Sequence, residues 1–422
     1  MSKVFISPSK ISGTVYAPPS KSAGHRSLIC AALSDAPVTV SGCGISDDIT
    51  ATERVLMALG AKIQRDGTNV KVTPIKNIPD SVLLDCGESG STARFIIPIA
   101  AALGVESATV TGGGRLPLRP FEVLCELLRS HTVSCDSDTL PLTIGGKLPS
   151  GEYKLPGNVS SQYISGMLMA LSVTEGDSRI ILTSPLESAA YVDMTVNELR
   201  IFGANIEKTP DGYAIKGRKA LKATDRNVEG DWSQAAFFLS AGAVCGGTVT
   251  VKGLDKESLQ GDKAIIPILR SFGADVTENG NGFTVKASQL RAARIDASQI
   301  PDLVPILAVT AAFAKGETVI SGAARLRLKE SDRLHETVLR LNAFGIDAHE
   351  TDDGMIINGG TPKGTEITSA GDHRIVMAFS VLACGACKDS VVSGVEAINK
   401  SYPLFFNDLC QLGGSCNVIS DR

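Results

Sequence analysis

Short, mostly apolar or β-branched runs, each closed by glycine or another small residue, recur along the chain. They are Val38 to Gly42 (VTVSG), Thr109 to Gly112 (TVTG), Ile180 to Ser184 (IILTS), Val249 to Gly253 (VTVKG), Val319 to Gly322 (VISG) and Val391 to Gly394 (VVSG). Each reads as a short strand followed by a turn. The copies stand about 70 residues apart, long enough for one compact supersecondary unit each. A second marker keeps the same step: LGAKI from Leu59, FGANI from Phe202, FGADV from Phe272, FGIDA from Phe344 and LGGSC from Leu412. Its sixth member is missing near Arg129 and Ser130. Upstream of these glycines, positions such as Val55, Leu56 and Leu59 repeat at helical spacing, and Gly60 suits the left-handed end of a helix.

Every unit reads as a polar cluster opening an apolar helix, then a strand, an amphipathic helix and one or two further strands. This βαβαββ order predicts an α/β protein of six small sheets with helices packed between them, three units to a domain. The stretch Phe5 to Tyr16 is strand-like and precedes Pro18 and Pro19, and a fourth apolar helix opens near Val228 to Asp231. Crossings at those two points predict one continuous domain, 18–228. The other is discontinuous, 1–17 with 229–422, and the two crossings make a hinge.

Composition narrows the function. The 422 residues are 43% hydrophobic and 20% charged, as in a folded globular protein, and 41 basic against 45 acidic residues leave a formal charge of -4. Such a balance gives no global pull toward nucleic acid or membrane, so any affinity for anions must be local. Leu303 to Ala314, among the longest apolar runs, is far short of a membrane span, and the N-terminus lacks the layout of an export signal. Ten scattered cysteines suggest core thiols, including the pair Cys384 and Cys387, and five separate histidines offer no metal-binding spacing. A metal-free, cofactor-free protein is expected.

The clusters that open the apolar helices hold the candidate chemistry. They are Ser20 to Arg26 (SKSAGHR), Gly87 to Arg94 (GESGSTAR), Gly157 to Gln162 (GNVSSQ), Glu229 to Gln234 (EGDWSQ), Ile300 to Asp302 (IPD) and Ala370 to Arg374 (AGDHR). A helix N-terminus carries unpaired N–H donors and partial positive charge, which suits phosphate and carboxylate. Ordinary capping accounts for the Ser, Asn, Asp and Gly. It does not account for Lys21, Arg26, Arg94 and Arg374, where a cation opposes the dipole, and an anion is expected to offset that cost. The charged run Leu326 to Leu334 (LRLKESDRL), the glycine- and arginine-bearing loop Thr111 to Pro120 and Lys400 each read singly as a solvated helix start, a turn and a surface lysine. There is no GxxxxGK[ST] loop and no GxGxxG after a strand.

In this order along the chain, PPSKSAGHR, GESGST, GNVSSQY, RLKESDRL, GDHR and Lys400 resemble the 5-enolpyruvylshikimate-3-phosphate synthase family over essentially the full length. The resemblance implies the two-domain enolpyruvyl-transferase fold, each domain three βαβαββ repeats with pseudo-threefold symmetry and the active site in the interdomain cleft. It implies transfer of the enolpyruvyl group of phosphoenolpyruvate to the 5-hydroxyl of shikimate 3-phosphate by a cytoplasmic monomer without cofactor. By the same resemblance, Ser160, Ser161, Ser188 and Lys329 would hold the phosphate of shikimate 3-phosphate, and Ser22, Arg26 and Tyr191 its carboxylate. Lys21, Gly90, Arg119, Gln162 and Lys400 would hold the phosphate of phosphoenolpyruvate, with Arg333 and Arg374 on its carboxylate. Asp302 would be the partner and base for the hydroxyl, Glu330 the acid at the methylene carbon, and Lys21 the support for the leaving phosphate. Two positions depart from the family pattern, Glu88 where many members carry Asn and Arg325 where Asn often meets the substrate. Gly90 is kept, leaving room for the phosphoenolpyruvate mimic glyphosate. The sibling transferase acting on UDP-N-acetylglucosamine shares the architecture. It usually presents a Lys-Asn pair and a loop cysteine, whereas Ser22 follows Lys21 and Leu116 to Arg119 (LPLR) has no cysteine. A six-repeat clamp around DNA is the non-enzymatic alternative, and it would want lysines spread over a lining surface.

Overall fold

The computed structural model describes residues 1–419. Among them are six four-stranded sheets. The repeating strands fall at Val38–Ser41, Ser107–Thr111, Asp177–Leu182, Thr248–Lys252, Glu317–Ser321 and Ser390–Ser393. The unit from Ser81 illustrates the order. Strand Ser81–Asp85 leads through helix Gly90–Leu103 to the parallel strand Ser107–Thr111, and helix Glu122–Arg129 leads to the antiparallel pair Ser134–Cys135 and Leu142–Gly145. A parallel pair needs a crossover, and the apolar helix supplies it.

The chain divides into two compact units, Pro19–Val228 and Met1–Pro18 with Glu229–Arg422. Within the second, the N-terminal stretch is two strands rather than one, and they serve different sheets. Lys3–Ser7 lies between Ser390–Ser393 and Ser415–Ile419, while Gly13–Tyr16 runs parallel to Thr248–Lys252. Each unit has its own apolar core. In one, Phe237, Phe238 and Phe405 cluster, with Phe238 stacked on Phe405 at 5.4 Å; in the other, Phe95, Phe121 and Phe202 are fully buried.

The crossover helices Gly90–Leu103, Ser161–Ser172, Trp232–Val244, Val304–Ala312 and His373–Gly385 are buried on nearly every side. They therefore lack a polar face, and their hydrophilic residues collect at the ends. The outer helices are amphipathic and stop at left-handed glycines such as Gly60, Gly203, Gly273, Gly345 and Gly413. Where the marker is missing, helix Glu122–Arg129 ends at Ser130 and Thr132 takes the left-handed conformation instead, at φ 66°. Cys384 is buried, but Cys387 lies beyond the end of its helix and is exposed, so only one of that pair is a core thiol.

Helices Gly90–Leu103 and Ser161–Ser172 lie close because Gly166 has no side chain. A β-carbon there would come within 2.5 Å of the Arg94 carbonyl oxygen and 3.1 Å of Pro98. Gly166→Ala should push the two helices apart and destabilise the chain by about 1–3 kcal/mol, measured as a lower denaturant midpoint than wild type.

Candidate active site

The starts of the crossover helices are built alike. Ser20, Ser89, Ser160, Asp231 and Asp372 each cap a helix with a side-chain oxygen that accepts a backbone N–H of the first turn. Ile300 makes no such bond, and a 3-10 turn, Pro301–Leu303, leads instead into helix Val304–Ala312. The residues that follow each cap are thereby aimed off the end of a buried helix.

In the unit Pro19–Val228, Lys21 opens its helix with Nζ 2.5 Å from the Asp48 carboxylate. Arg26, one turn on, is 3% exposed. Its Nε donates to Thr195 Oγ1 at 2.7 Å, and its Nη1 and Nη2 donate to the carbonyls of Ser22 (2.7 Å) and Tyr191 (2.8 Å). Burial lowers its pKa to about 10, with Tyr191 and Glu198 opposing the fall, so the guanidinium stays charged at neutral pH. Ser22, Arg26 and Tyr191 are thus brought together, with three of the five Arg26 donors already engaged. Between Lys21 and Arg26, His25 is driven down to about 3, by burial first and then by the Lys21 and Arg26 charges, despite Asp48. It is a neutral ring bonded to Thr52 at 2.7 Å.

A second group gathers at Gly90. A β-carbon on this residue would meet Arg119 Nη1 at 2.6 Å and Arg94 Nη1 at 2.8 Å, so two guanidinium groups converge over the first residue of the helix. Arg94 Nη1 donates to Gln162 Oε1 at 2.8 Å, and Gln162 Nε2 donates to Ser91 Oγ at 2.7 Å. The Arg94 guanidinium lies over the rings of Phe121 and Tyr163 at 5.5 and 5.6 Å. Gly90, Arg119 and Gln162 therefore share one corner with Arg94, a residue the family resemblance left without a contact. Ser160 and Ser161 begin the helix that carries Gln162. Ser188 takes φ 51° at the start of helix Ala189–Ile201, in a loop tied to theirs by the Glu187 N–H bond to the Gly157 carbonyl at 3.1 Å. Glu88 is exposed, and its carboxyl rests against Gly114 in the loop leading to Arg119, 2.5 Å from where a β-carbon would stand.

The other unit gathers all six of its candidate residues. Asp302 lies 3.2 Å from Arg374 Nη2, 3.2 Å from Arg333 Nη1 and 3.6 Å from Lys329 Nζ, while Arg374 Nη1 donates to the Asp302 carbonyl at 3.0 Å. Glu330 accepts from Arg333 Nη2 at 2.6 Å and is 4.0 Å from Lys400. Arg333, 1% exposed, also grips Asp372 through Nε at 2.9 Å and Nη2 at 3.2 Å. Its charge is held more tightly than usual, since Asp372, Glu330 and Asp302 outweigh the burial that opposes it. Burial alone would raise Asp302, but Arg374, then Lys329 and Arg333, overcome it and hold the carboxyl well below the usual carboxylate range. Arg325 donates to the Ser298 carbonyl at 2.8 Å.

For two of the helix-start cations the expected anion is supplied by the chain, Asp48 for Lys21 and Asp302 for Arg374, and Asp372 does the same for Arg333. The contacts described for Arg26 and Arg94 are instead to neutral oxygens. Sequence reasoning missed Asp48 and quoted Asp372 only as part of a polar cluster. Asp48 lies in the first turn of an amphipathic helix next to Asp47, where any acidic residue suits the dipole, so nothing in the pattern singled it out. Among the described residues no group of His, Cys, Asp and Glu is arranged to hold a metal ion.

Removing one partner of a buried ion pair leaves the other charge uncompensated. Asp372→Asn should therefore cost about 3–5 kcal/mol in unfolding free energy, measured by denaturant titration, and exceed the cost of the same change at half-buried Asp85.

Comparison with known proteins gives the family. The family model for EPSP synthase (3-phosphoshikimate 1-carboxyvinyltransferase) matches residues 6–409. A 3-phosphoshikimate 1-carboxyvinyltransferase of Clostridium kluyveri is 43% identical, and one of Clostridium acetobutylicum 44%, each match covering 100% of this chain and 99% of the relative. The EPSP synthase structure from Acinetobacter baumannii superposes with a TM-score of 0.84 at 28% identity, covering 100% of both chains. The enolpyruvyl transferase NikO of Streptomyces tendae shares the fold at 17% identity and a TM-score of 0.81. The chain belongs to the EPSP synthase family.

Proposed function

We propose that the chain moves the enolpyruvyl group of phosphoenolpyruvate onto the 5-hydroxyl of shikimate 3-phosphate and releases phosphate. The convergence of Arg94 and Arg119 on the helix start at Gly90 carries this reading within its unit. Two like charges and a helix N-terminus form an anion site on a chain whose net charge is -4. The phosphate of phosphoenolpyruvate would sit there with Lys21, Gln162 and Lys400, and its carboxylate on Arg374 and Arg333. Since Arg333 already serves three carboxylates, a fourth must displace Glu330 or Asp302 from it. Ser160, Ser161, Ser188 and Lys329 would take the phosphate of shikimate 3-phosphate, and Ser22, Arg26 and Tyr191 its carboxylate. These assignments draw on both units, so the reading requires both to reach one pair of substrates.

Asp302 would take the proton from the 5-hydroxyl as the oxygen attacks C2 of phosphoenolpyruvate, while Glu330 delivers a proton to C3. Glu330 then removes a proton from the new methyl group as the C2–O bond to phosphate breaks, and Lys21 steadies the departing phosphate. Arg374 and Lys329, the cations that hold Asp302 ionised, are also the ones assigned to substrate anions. Binding would draw their charge away from Asp302 and raise its basicity when it is needed. A monomeric enzyme of the cytoplasm suits this activity. No helix among the described residues is long and apolar enough to cross a membrane.

Phosphate should appear from phosphoenolpyruvate when shikimate 3-phosphate is present, and not with UDP-N-acetylglucosamine or with phosphoenolpyruvate alone. Glu330→Gln should still bind shikimate 3-phosphate but lose about 10²–10⁴-fold in kcat; near-normal turnover would remove Glu330 from the mechanism. Gly90→Ala adds a methyl group against the guanidinium groups of Arg119 and Arg94. The inhibition constant of glyphosate should rise at least about tenfold, or about 1.4 kcal/mol, with a smaller rise in KM for phosphoenolpyruvate. Equal inhibition of variant and wild type would count against placing the ligand at Gly90.

A further inference from the structure

A chain of buried polar side chains from three helices links the helix starts at Lys21 and Gly90. His25 lies on helix Lys21–Ala32, Thr52 on helix Asp47–Ala58, and Thr92 on helix Gly90–Leu103, whose cap is Ser89. All four side chains are buried. His25 Nδ1 is 2.7 Å from Thr52 Oγ1, which is in turn 2.7 Å from Thr92 Oγ1. Thr92 Oγ1 donates to Ser89 Oγ at 2.8 Å, and the same Ser89 oxygen accepts the Thr92 backbone N–H at 3.3 Å.

Proton counting gives this chain a direction. A threonine hydroxyl has one proton, and Thr92 gives its own to Ser89, so Thr92 accepts from Thr52. Thr52 then has no proton left for His25, and the ring donates from Nδ1. The other outlets for the two hydroxyl protons, both to the Asp48 carbonyl, are longer, at 3.4 Å from Thr52 and 3.5 Å from Thr92. The ring is neutral, so Nε2, which has no partner within ordinary limits of distance and angle, is a bare acceptor. The opposite tautomer would bury an N–H with nothing to receive it. Both ends of the chain meet the candidate site. Asp48 holds Lys21 Nζ with its carboxylate at 2.5 Å, and Ser89 fixes the first turn at Gly90, over which Arg119 and Arg94 converge.

We propose that His25, Thr52 and Thr92 are positioning residues. Hydrogen bonds donated in one direction, from His25 Nδ1 to Ser89, set Lys21 and the helix start at Gly90 at one fixed separation for the phosphate of phosphoenolpyruvate. The inference rests on the functional reading above. None of the three touches the ligand in that reading; they act through Asp48 and Ser89.

Thr52→Val and Thr92→Val keep the shape of the side chain and remove its hydroxyl. Each should raise KM for phosphoenolpyruvate about 3–10-fold. KM for shikimate 3-phosphate should change less, since Arg26 is held separately by Thr195 and the Tyr191 carbonyl. The double variant should lose less than the product of the two single losses, because one broken link already interrupts the chain. Thr92→Ser restores the hydroxyl and should behave as wild type. Thr174→Val removes a buried hydroxyl elsewhere in the same unit, bonded to the Ala170 carbonyl at 3.0 Å, and should leave both KM values level even if it lowers stability. Asn carries its amide nitrogen where Nδ1 stands and Gln where Nε2 stands. His25→Asn should therefore stay near wild type, and His25→Gln should follow Thr52→Val. Independently of activity, the histidine nitrogen NMR signals that vanish in His25→Asn should show a protonated Nδ1 and a bare Nε2 across neutral pH. Unchanged KM for phosphoenolpyruvate in both valine variants, or a proton on Nε2, would overturn the inference. Absence of any turnover in wild type would refute the functional reading and the positioning role with it, and the spectrum alone would then decide the direction of the chain.

Discussion

The rest of the site depends on how positive side chains are kept at the positive ends of buried helices. Lys21 and Arg374 each lie in the first turn of a helix whose N–H groups already repel them, and Arg333 opens another while almost wholly buried. Each is held by a carboxylate placed within 2.5–3.2 Å. Without those carboxylates the cations would turn to solvent or the helix starts would fray. With them, the chain keeps a concentrated set of charges in fixed geometry, and an anionic ligand need only replace a contact that already exists.

That arrangement divides the carboxylates into two kinds. Asp372 is inaccessible, accepts from Arg333, Ser331 and the Arg374 N–H, and belongs to the framework. Asp302 and Glu330 retain partial exposure, at 18% and 16%, and each makes longer contacts as well as short ones. They are the ones free to exchange partners. In the other unit the guanidinium groups of Arg94 and Arg119 converge on a glycine, and the close approach at Gly166 sets the distance from Arg94 to Gln162.

Much of this was legible in the sequence. The strand markers mapped to six strands because a half-buried strand ending in a tight turn leaves a local, periodic trace. The crossover helices were legible because burial on all sides forces their polar residues to the ends. The failures are equally physical. One strand-like segment from Phe5 to Tyr16 is two strands of different sheets, since alternation reports a strand but not its neighbours. The repeat marker is missing where Thr132 does a glycine's work, which no composition rule anticipates. Asp48 escaped notice because an acidic residue in a first turn is always plausible.

The pairing of Lys3–Ser7 has a consequence for how the chain is made. Its two neighbours in the sheet, Ser390–Ser393 and Ser415–Ile419, are separated from it by nearly the whole sequence. On the ribosome, Pro19–Val228 has every strand of its three sheets in hand once residue 228 has emerged. Strand Lys3–Ser7 has no such opportunity. It must wait as an unpaired edge while the whole stretch between it and its partners is synthesised.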